Sequence, residues 1–151
     1  QNKIKDKKLK NFKKKINPNY LMIGMRFFEE APNKIRNQFG GLEKIEFFNR
    51  AFLKFKKKNK KVVPFIFTTL KSEKLKKRIK FQKNFVNPEY GFVGNSMEYL
   101  LLMSNFNNFI ISNSSYYWWA AYLGNFRRKC LTISSKKFTN KDTLKTVNFK
   151  F

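Results

Sequence analysis

The chain has 151 residues with 34 Lys and Arg against 9 Asp and Glu, a formal net charge of +25, no histidine and one cysteine. Without histidine there is no Ser-His-Asp or Cys-His catalysis and no His-based metal site. Cys130 alone makes no disulfide within the chain and no CxxC zinc arrangement, and the length suits one domain with an ordinary core.

Residues 1–15 are dominated by Lys, with Ile4, Leu9, Phe12 and Ile16 as scattered apolar anchors. Residues 1–19 read as a basic, weakly amphipathic helix or a solvated lead-in. Tyr20–Met25 follows Pro18 as a buried strand ending at Arg26, with Glu29 and Glu30 just beyond. Residues 32–41 are loop-like and contain a Gly40-Gly41 break. Leu42, Ile45, Phe48, Phe52 and Phe55 then recur at helical spacing, with basic residues opposite and acidic ones early. Residues 62–68 form the next strand, where Pro64 predicts an irregular start. Ser72 is expected to cap a short basic helix through Lys80, with Leu75 and Ile79 inward. Phe85-Val86 makes a short strand before Pro88, and Gly94-Asn95-Ser96 leads into a Leu- and Met-rich helix over residues 97–106. Residues 129–133 form a last strand, and residues 134–151 a polar, Lys-rich tail.

The stretch that organises the chain lies before that last strand. Phe109-Ile110-Ile111 is a short apolar strand, Ser112-Asn113-Ser114-Ser115 a polar loop, and Tyr116-Tyr117-Trp118-Trp119-Ala120-Ala121-Tyr122-Leu123 a helix that Gly124 is expected to stop. The first amides of such a helix lack partners within it, and the macrodipole places roughly +0.5 charge there. Ser112, Asn113, Ser114 and Ser115 thus make a candidate site for an anion; they also read as a plain cap beneath core aromatics Trp118, Trp119 and Tyr122. Strand and helix alternate, and no two strands are joined by a tight hairpin. That order predicts an α/β domain over residues 20–133, with right-handed βαβ crossovers and a Rossmann-like, mostly parallel sheet flanked by helices. Ligands of such sheets gather at the C-terminal strand ends, where Arg26 and the 112–115 loop should converge.

The run Ser112-Asn113-Ser114-Ser115-Tyr116-Tyr117-Trp118-Trp119-Ala120-Ala121 resembles the C-terminal signature of the α-1,2-fucosyltransferases, glycosyltransferase family 11, which reads Ser-Asn-Ser-Ser/Thr-Phe-Ser-Trp-Trp-Ala-Ala. Tyr116 stands for Phe, and Tyr117 for Ser. A family motif His-Val-Arg-Arg-Gly-Asp corresponds to Gly24-Met25-Arg26-Phe27-Phe28-Glu29. Arg26 keeps the first arginine, Gly24 replaces the histidine, Phe27 replaces the second arginine, and Glu29 stands for the acid with Glu30 beside it. A Phe-Ser-Asp-Asp strand end becomes Phe67-Thr68-Thr69, and an Asp-Leu-x-Leu-Met segment becomes Tyr99-Leu100-Leu101-Leu102-Met103, with Glu98 one place early. The resemblance spans residues 20–123.

It implies the C-terminal, nucleotide-sugar-binding half of a two-domain GT-B enzyme, without the N-terminal acceptor domain and its Gly-Asn-Gln motif. It further implies an inverting, metal-independent transfer of fucose from GDP-fucose to a glycan hydroxyl, with no cofactor. Arg26, Ser112, Asn113, Ser114 and Ser115 would bind the donor, the guanidinium fork suiting a diphosphate. Glu29 or Glu30 would take the acceptor proton, and each reads equally as a surface carboxylate or an ion-pair partner of Arg26.

The lysines come with abundant Asn, Phe and Ile, a mix that AT-rich coding produces, so most are expected on solvated faces. Their charge still favours phosphates, anionic lipid or nucleic acid. No apolar run nears the roughly 20 residues of a membrane span, and no secretory signal is seen. The expectation is a cytoplasmic protein, with peripheral contact at the anionic inner membrane face as an option; the start at Gln1 suggests a fragment. A basic nucleic-acid-binding protein is the rival from another class, although the aromatics fall at buried-looking positions and no specific nucleic acid is expected. The absent histidine, arginine and aspartates also fit an inactive transferase remnant.

Overall fold

The computed structural model describes residues 4–28, 32–34 and 43–136. Glu29, Glu30, the Gly40-Gly41 break, Leu42 and the tail from residue 137 lie outside the described residues. Strands β1 (Tyr20–Met25), β2 (Val63–Thr68), β3 (Asn108–Ile111) and β4 (Leu131–Ser134) form one all-parallel sheet in the order β2-β1-β3-β4. The helices are α1 (Lys7–Lys15), α2 (Ile45–Lys58), α3 (Ser72–Lys76), α4 (Ser96–Met103) and α5 (Ser115–Arg127). This is the Rossmann-like α/β architecture the alternating order predicts.

The strands are apolar on both sides because both faces are covered. Leu21, Ile23, Met25, Ile66 and Ile110 pack with Ile45, Phe48, Phe52 and Phe55 of α2. Met22, Phe67, Phe109 and Ile111 point the other way, into a cluster with Leu102 and Met103 of α4 and Trp118, Ala120 and Ala121 of α5. The helix after β1 and the helix after β3 therefore cover opposite faces, which makes the gap between these two neighbours the topological switch point.

Residues 4–15 belong to this core rather than to a solvated lead-in. Leu9 is fully buried, and the Phe12 ring lies 4.8 Å from Phe65 and 6.2 Å from Phe106. Asp6 caps α1, its Oδ1 accepting from the Leu9 amide at 2.7 Å. The lysines of α1 stay exposed. Glu98 clasps the start of α1 to α4: Oε1 accepts from the amides of Lys5 and Asp6, and Oε2 from Asn95 N at 2.9 Å. Asn95 Oδ1 accepts from Glu98 N in return, closing a capping box.

Several local expectations are corrected. Pro64 does not disturb β2, which pairs regularly from Val63. Ile66, two residues on, sends its amide outward to Asn84 O at 2.8 Å, so the donor that Pro64 lacks falls on the outer edge of the sheet. Phe85 and Val86 make a single parallel bridge to Ile66 there rather than a strand. Ser72 is the first helical residue, not the cap, and α3 ends at Lys76 rather than Lys80. α5 runs through Gly124 to Arg127. That glycine is needed for close approach instead: a Cβ there would sit 2.8 Å from Phe109 Cζ and 3.3 Å from the Ser104 carbonyl. Trp118 is buried, whereas Trp119 is 49 % exposed. Among the described residues no helix is long and apolar enough to cross a membrane.

Two outcomes follow for stability. Gly124→Ala gains about 1 kcal/mol of helix propensity but crowds a fully buried ring and a backbone oxygen, which costs about 1–3 kcal/mol. Chemical denaturation should show net destabilisation, and a stabilised variant would show that the contact yields easily. The Glu98 carboxyl is held below the ordinary carboxylate range by the amides of Asn95, Asp6 and Lys5. Its contribution is then present above the unfolded value of about 4.3 and lost as pH falls through the lower folded value. Glu98→Gln should lower Tm at neutral pH and flatten the acid-side decline; an unchanged decline would rule out this role.

Candidate functional site

The two elements that sequence places at strand ends meet through Ser112. Its amide donates to Gly24 O at 3.0 Å, and its Oγ accepts from the Arg26 amide at 3.0 Å. The β1–β3 pairing is thereby carried one step past the last strand residues. Ser112 is fully buried with its hydroxyl engaged, so it ties the strand ends together rather than facing the hollow beyond them.

The chain then turns within two residues, the Ser114 amide donating to Ser112 O at 2.8 Å. Ser114 takes the N-cap position of α5 with φ −124° and ψ 121°, and its hydroxyl makes no capping bond to the helix. Two phenols fix the first turn of α5. Tyr116 donates to Ser96 O at 2.5 Å, and Tyr117 to Phe67 O at 3.0 Å. The Tyr117 ring lies directly on Gly24, where a Cβ would stand 2.4 Å from Tyr117 Cγ. Gly24 has no side chain where the ring rests, and Tyr117 supplies the ring. Each accommodates the other.

Arg26 follows β1 and is oriented from two sides. Nη1 donates to Thr69 Oγ1 at 2.9 Å, and the guanidinium carbon sits 5.0 Å from the centroid of the Phe28 ring. Phe28 has φ 48°, a left-handed conformation uncommon for so bulky a residue. It turns the backbone immediately after the strand.

A hollow of about 650 Å³ lies over these strand ends. Arg26 and Ser114 line it beside β1 and β3, Thr68 and Thr69 at the end of β2, and Asn87 and Glu89 beyond the outer edge of β2. Tyr99, Tyr116 and Tyr117 contribute an aromatic wall. Burial pushes the phenols of Tyr99 and Tyr116 up to about 12, so both stay neutral near neutral pH. Glu89 is held below the ordinary carboxylate range by the Ser72 hydroxyl and amide. Of the 112–115 loop, Ser114 lines the hollow; the buried Asn113 and the exposed Ser115 do not. Sequence reading did not anticipate Asn87 or Glu89 here, because their turn reaches the strand ends only through the tertiary fold; Tyr99 opens the segment that the sequence resemblance singles out. The one available signal was Asn87-Pro88-Glu89, a polar turn directly after a short apolar pair.

A helix-covered parallel sheet with a hollow across its strand ends at the switch point defines a Rossmann-like α/β protein, and ligands of such sheets gather at that place. Residues 28–150 match the family profile of glycosyl transferase family 11, and the chain belongs to that family of glycosyltransferases. The match contains the Ser112-to-Leu123 signature and begins two residues after Arg26. No curated protein matches the chain significantly. No solved structure does so either.

The ring-on-glycine contact is directly testable. Gly24→Ala should destabilise the protein by about 1–3 kcal/mol, and Tyr117→Ala should absorb most of that cost. Denaturation of both single variants and the double variant should give a coupling above about 1 kcal/mol. Additive costs would show that the ring does not lie on Gly24.

Proposed function

We propose that this chain is the donor-binding half of a GT-B fucosyltransferase, and that the hollow holds GDP-fucose with its diphosphate between the Arg26 guanidinium and the amide end of α5. The carrying observation is that Arg26 and Ser114, which follow the two strands adjacent at the switch point, line one hollow. A guanidinium donates two parallel, charge-assisted bonds to a diphosphate, and a helix N-terminus favours the same charge.

Transfer breaks the bond between the anomeric carbon and the diphosphate oxygen and forms one to the acceptor hydroxyl from the opposite face, which inverts the centre. The transition state is oxocarbenium-like. As the first bond breaks, negative charge grows on the departing diphosphate, where preorganised donors are worth several kcal/mol. Arg26 is preorganised by its contacts with Thr69 and Phe28. The acceptor proton passes to a general base, for which Glu29 and Glu30 are the candidates by sequence position. Charge neutralisation by these donors makes the reaction metal-independent in this reading. The glycan acceptor is held largely by the N-terminal half of the enzyme.

Calorimetry should show GDP bound more tightly than GMP or UDP, with binding unaffected by EDTA. Arg26→Ala should weaken GDP by about 1.5–3 kcal/mol, the range for a hydrogen bond to a charged group. A folded sample that binds no GDP at millimolar concentration would overturn the assignment. Oligonucleotide binding that persists at 200 mM salt would favour the nucleic-acid alternative, since charge-driven binding fades steeply over that range.

A further inference from the structure

Asn87 lines the hollow two residues after Phe85, which bridges the outer side of β2, whereas Ser114 follows β3 on the other side of β1. The Asn87 surface is 5 % exposed, and its Oδ1 finds no hydrogen-bond partner among the described residues. A buried amide oxygen left unpaired is costly, and such groups are ordinarily satisfied. The backbone around it is well used: Asn87 O accepts from the amides of Tyr90 at 3.0 Å and Phe92 at 3.3 Å. The side chain is thus set in a fixed turn, with an acceptor to spare. Close by in sequence, Glu89 fixes a negative charge on the same side of the hollow.

The hollow is therefore polarised along its length. The Arg26 cation and the amide end of α5 stand on the β1–β3 side; on the outer side of β2 stand the Asn87 oxygen and the Glu89 carboxylate, the latter already bonded to Ser72 and within the field of Lys71 and Lys76. Arg26 follows β1, β2 is the next strand, and Phe85 bridges to the outer side of β2. The 87–89 turn is then two strand spacings from the line of β1, roughly 10 Å. That is the order of distance separating a diphosphate from the base it carries through a ribose. The Asn87 oxygen gains nothing from phosphate oxygens, which are acceptors themselves, and suits a base edge that presents N–H donors.

We infer that Asn87 is a specificity-determining residue of this site, its side-chain oxygen accepting a hydrogen bond from the donor edge of the nucleobase. Guanine presents N1–H and the 2-amino group side by side; in the same pose an oxygen facing N1 would meet a bare acceptor in adenine, whose 6-amino donor lies one position away, where guanine carries O6. The inference rests on the donor-binding reading above, and it adds the residue that tells one purine from the other.

The test measures GDP, ADP and pyrophosphate binding to the whole chain by calorimetry, for wild type, Asn87→Ala, Asn87→Asp and Arg26→Ala. Wild type should prefer GDP over ADP by roughly tenfold, the factor that one hydrogen bond supplies. Asn87→Ala should bring that ratio to about one by weakening GDP alone, with ADP and pyrophosphate unchanged. Asn87→Asp, which keeps an acceptor, should retain the preference and guard against a folding artefact. Equal weakening of GDP and ADP in Asn87→Ala, or an intact preference, would overturn the inference while leaving the diphosphate site standing, provided Arg26→Ala still weakens pyrophosphate. Failure of all three probes to bind wild type would remove both.

Discussion

The Tyr117 ring resting on Gly24, with its hydroxyl on the Phe67 carbonyl, fixes where α5 begins relative to β1 and β2. A helix N-terminus is useful to an anion only if it is aimed, and its field falls off within the first turn. The contact therefore has to locate that turn closely. Ser112 completes the arrangement by bonding both Gly24 and the Arg26 amide, so one buried residue sets the Arg26 backbone and the helix start in a common frame.

Much of this frame could be read from the chain. Three strands, the amphipathic α2 and the strand–loop–helix around Ser112 follow from apolar runs and spacing, and alternation foretells the parallel sheet. Convergence of Arg26 with the 112–115 loop follows from topology alone. What could not be read are roles that depend on a distant neighbour. Gly124 looks like a helix stop and acts as a packing space for Phe109. Ser72 looks like a cap and instead meets Glu89. Asn87 looks like a turn residue, and its unpaired oxygen is visible only once Phe85 is paired beside Ile66. Local propensity has no access to any of these facts, because each is a property of two segments far apart in sequence.

The charge balance gains meaning in the same way. In a chain with 34 cations, acids would be expected to sit in ion pairs. The described carboxylates largely accept from backbone amides and hydroxyls instead: Asp6 from Leu9, Glu43 from Ser135, Glu89 from Ser72, and Glu98 from three amides. Amide and hydroxyl bonds of this kind hold geometry where a surface ion pair contributes little. The lysines are left in solvent, where they supply a long-range field and little architecture.

Pro64 carries a consequence of another kind. A parallel sheet this short, in a chain with 19 phenylalanines, would offer neighbouring molecules a template for stacking strand upon strand if its border were open. The missing amide on the outward side of β2 leaves a gap in the row of donors, and one bridge from Phe85 occupies the place beside it. The same proline that looks like a flaw in the strand thus removes one outward donor from the edge, the kind of interruption that disfavours strand addition.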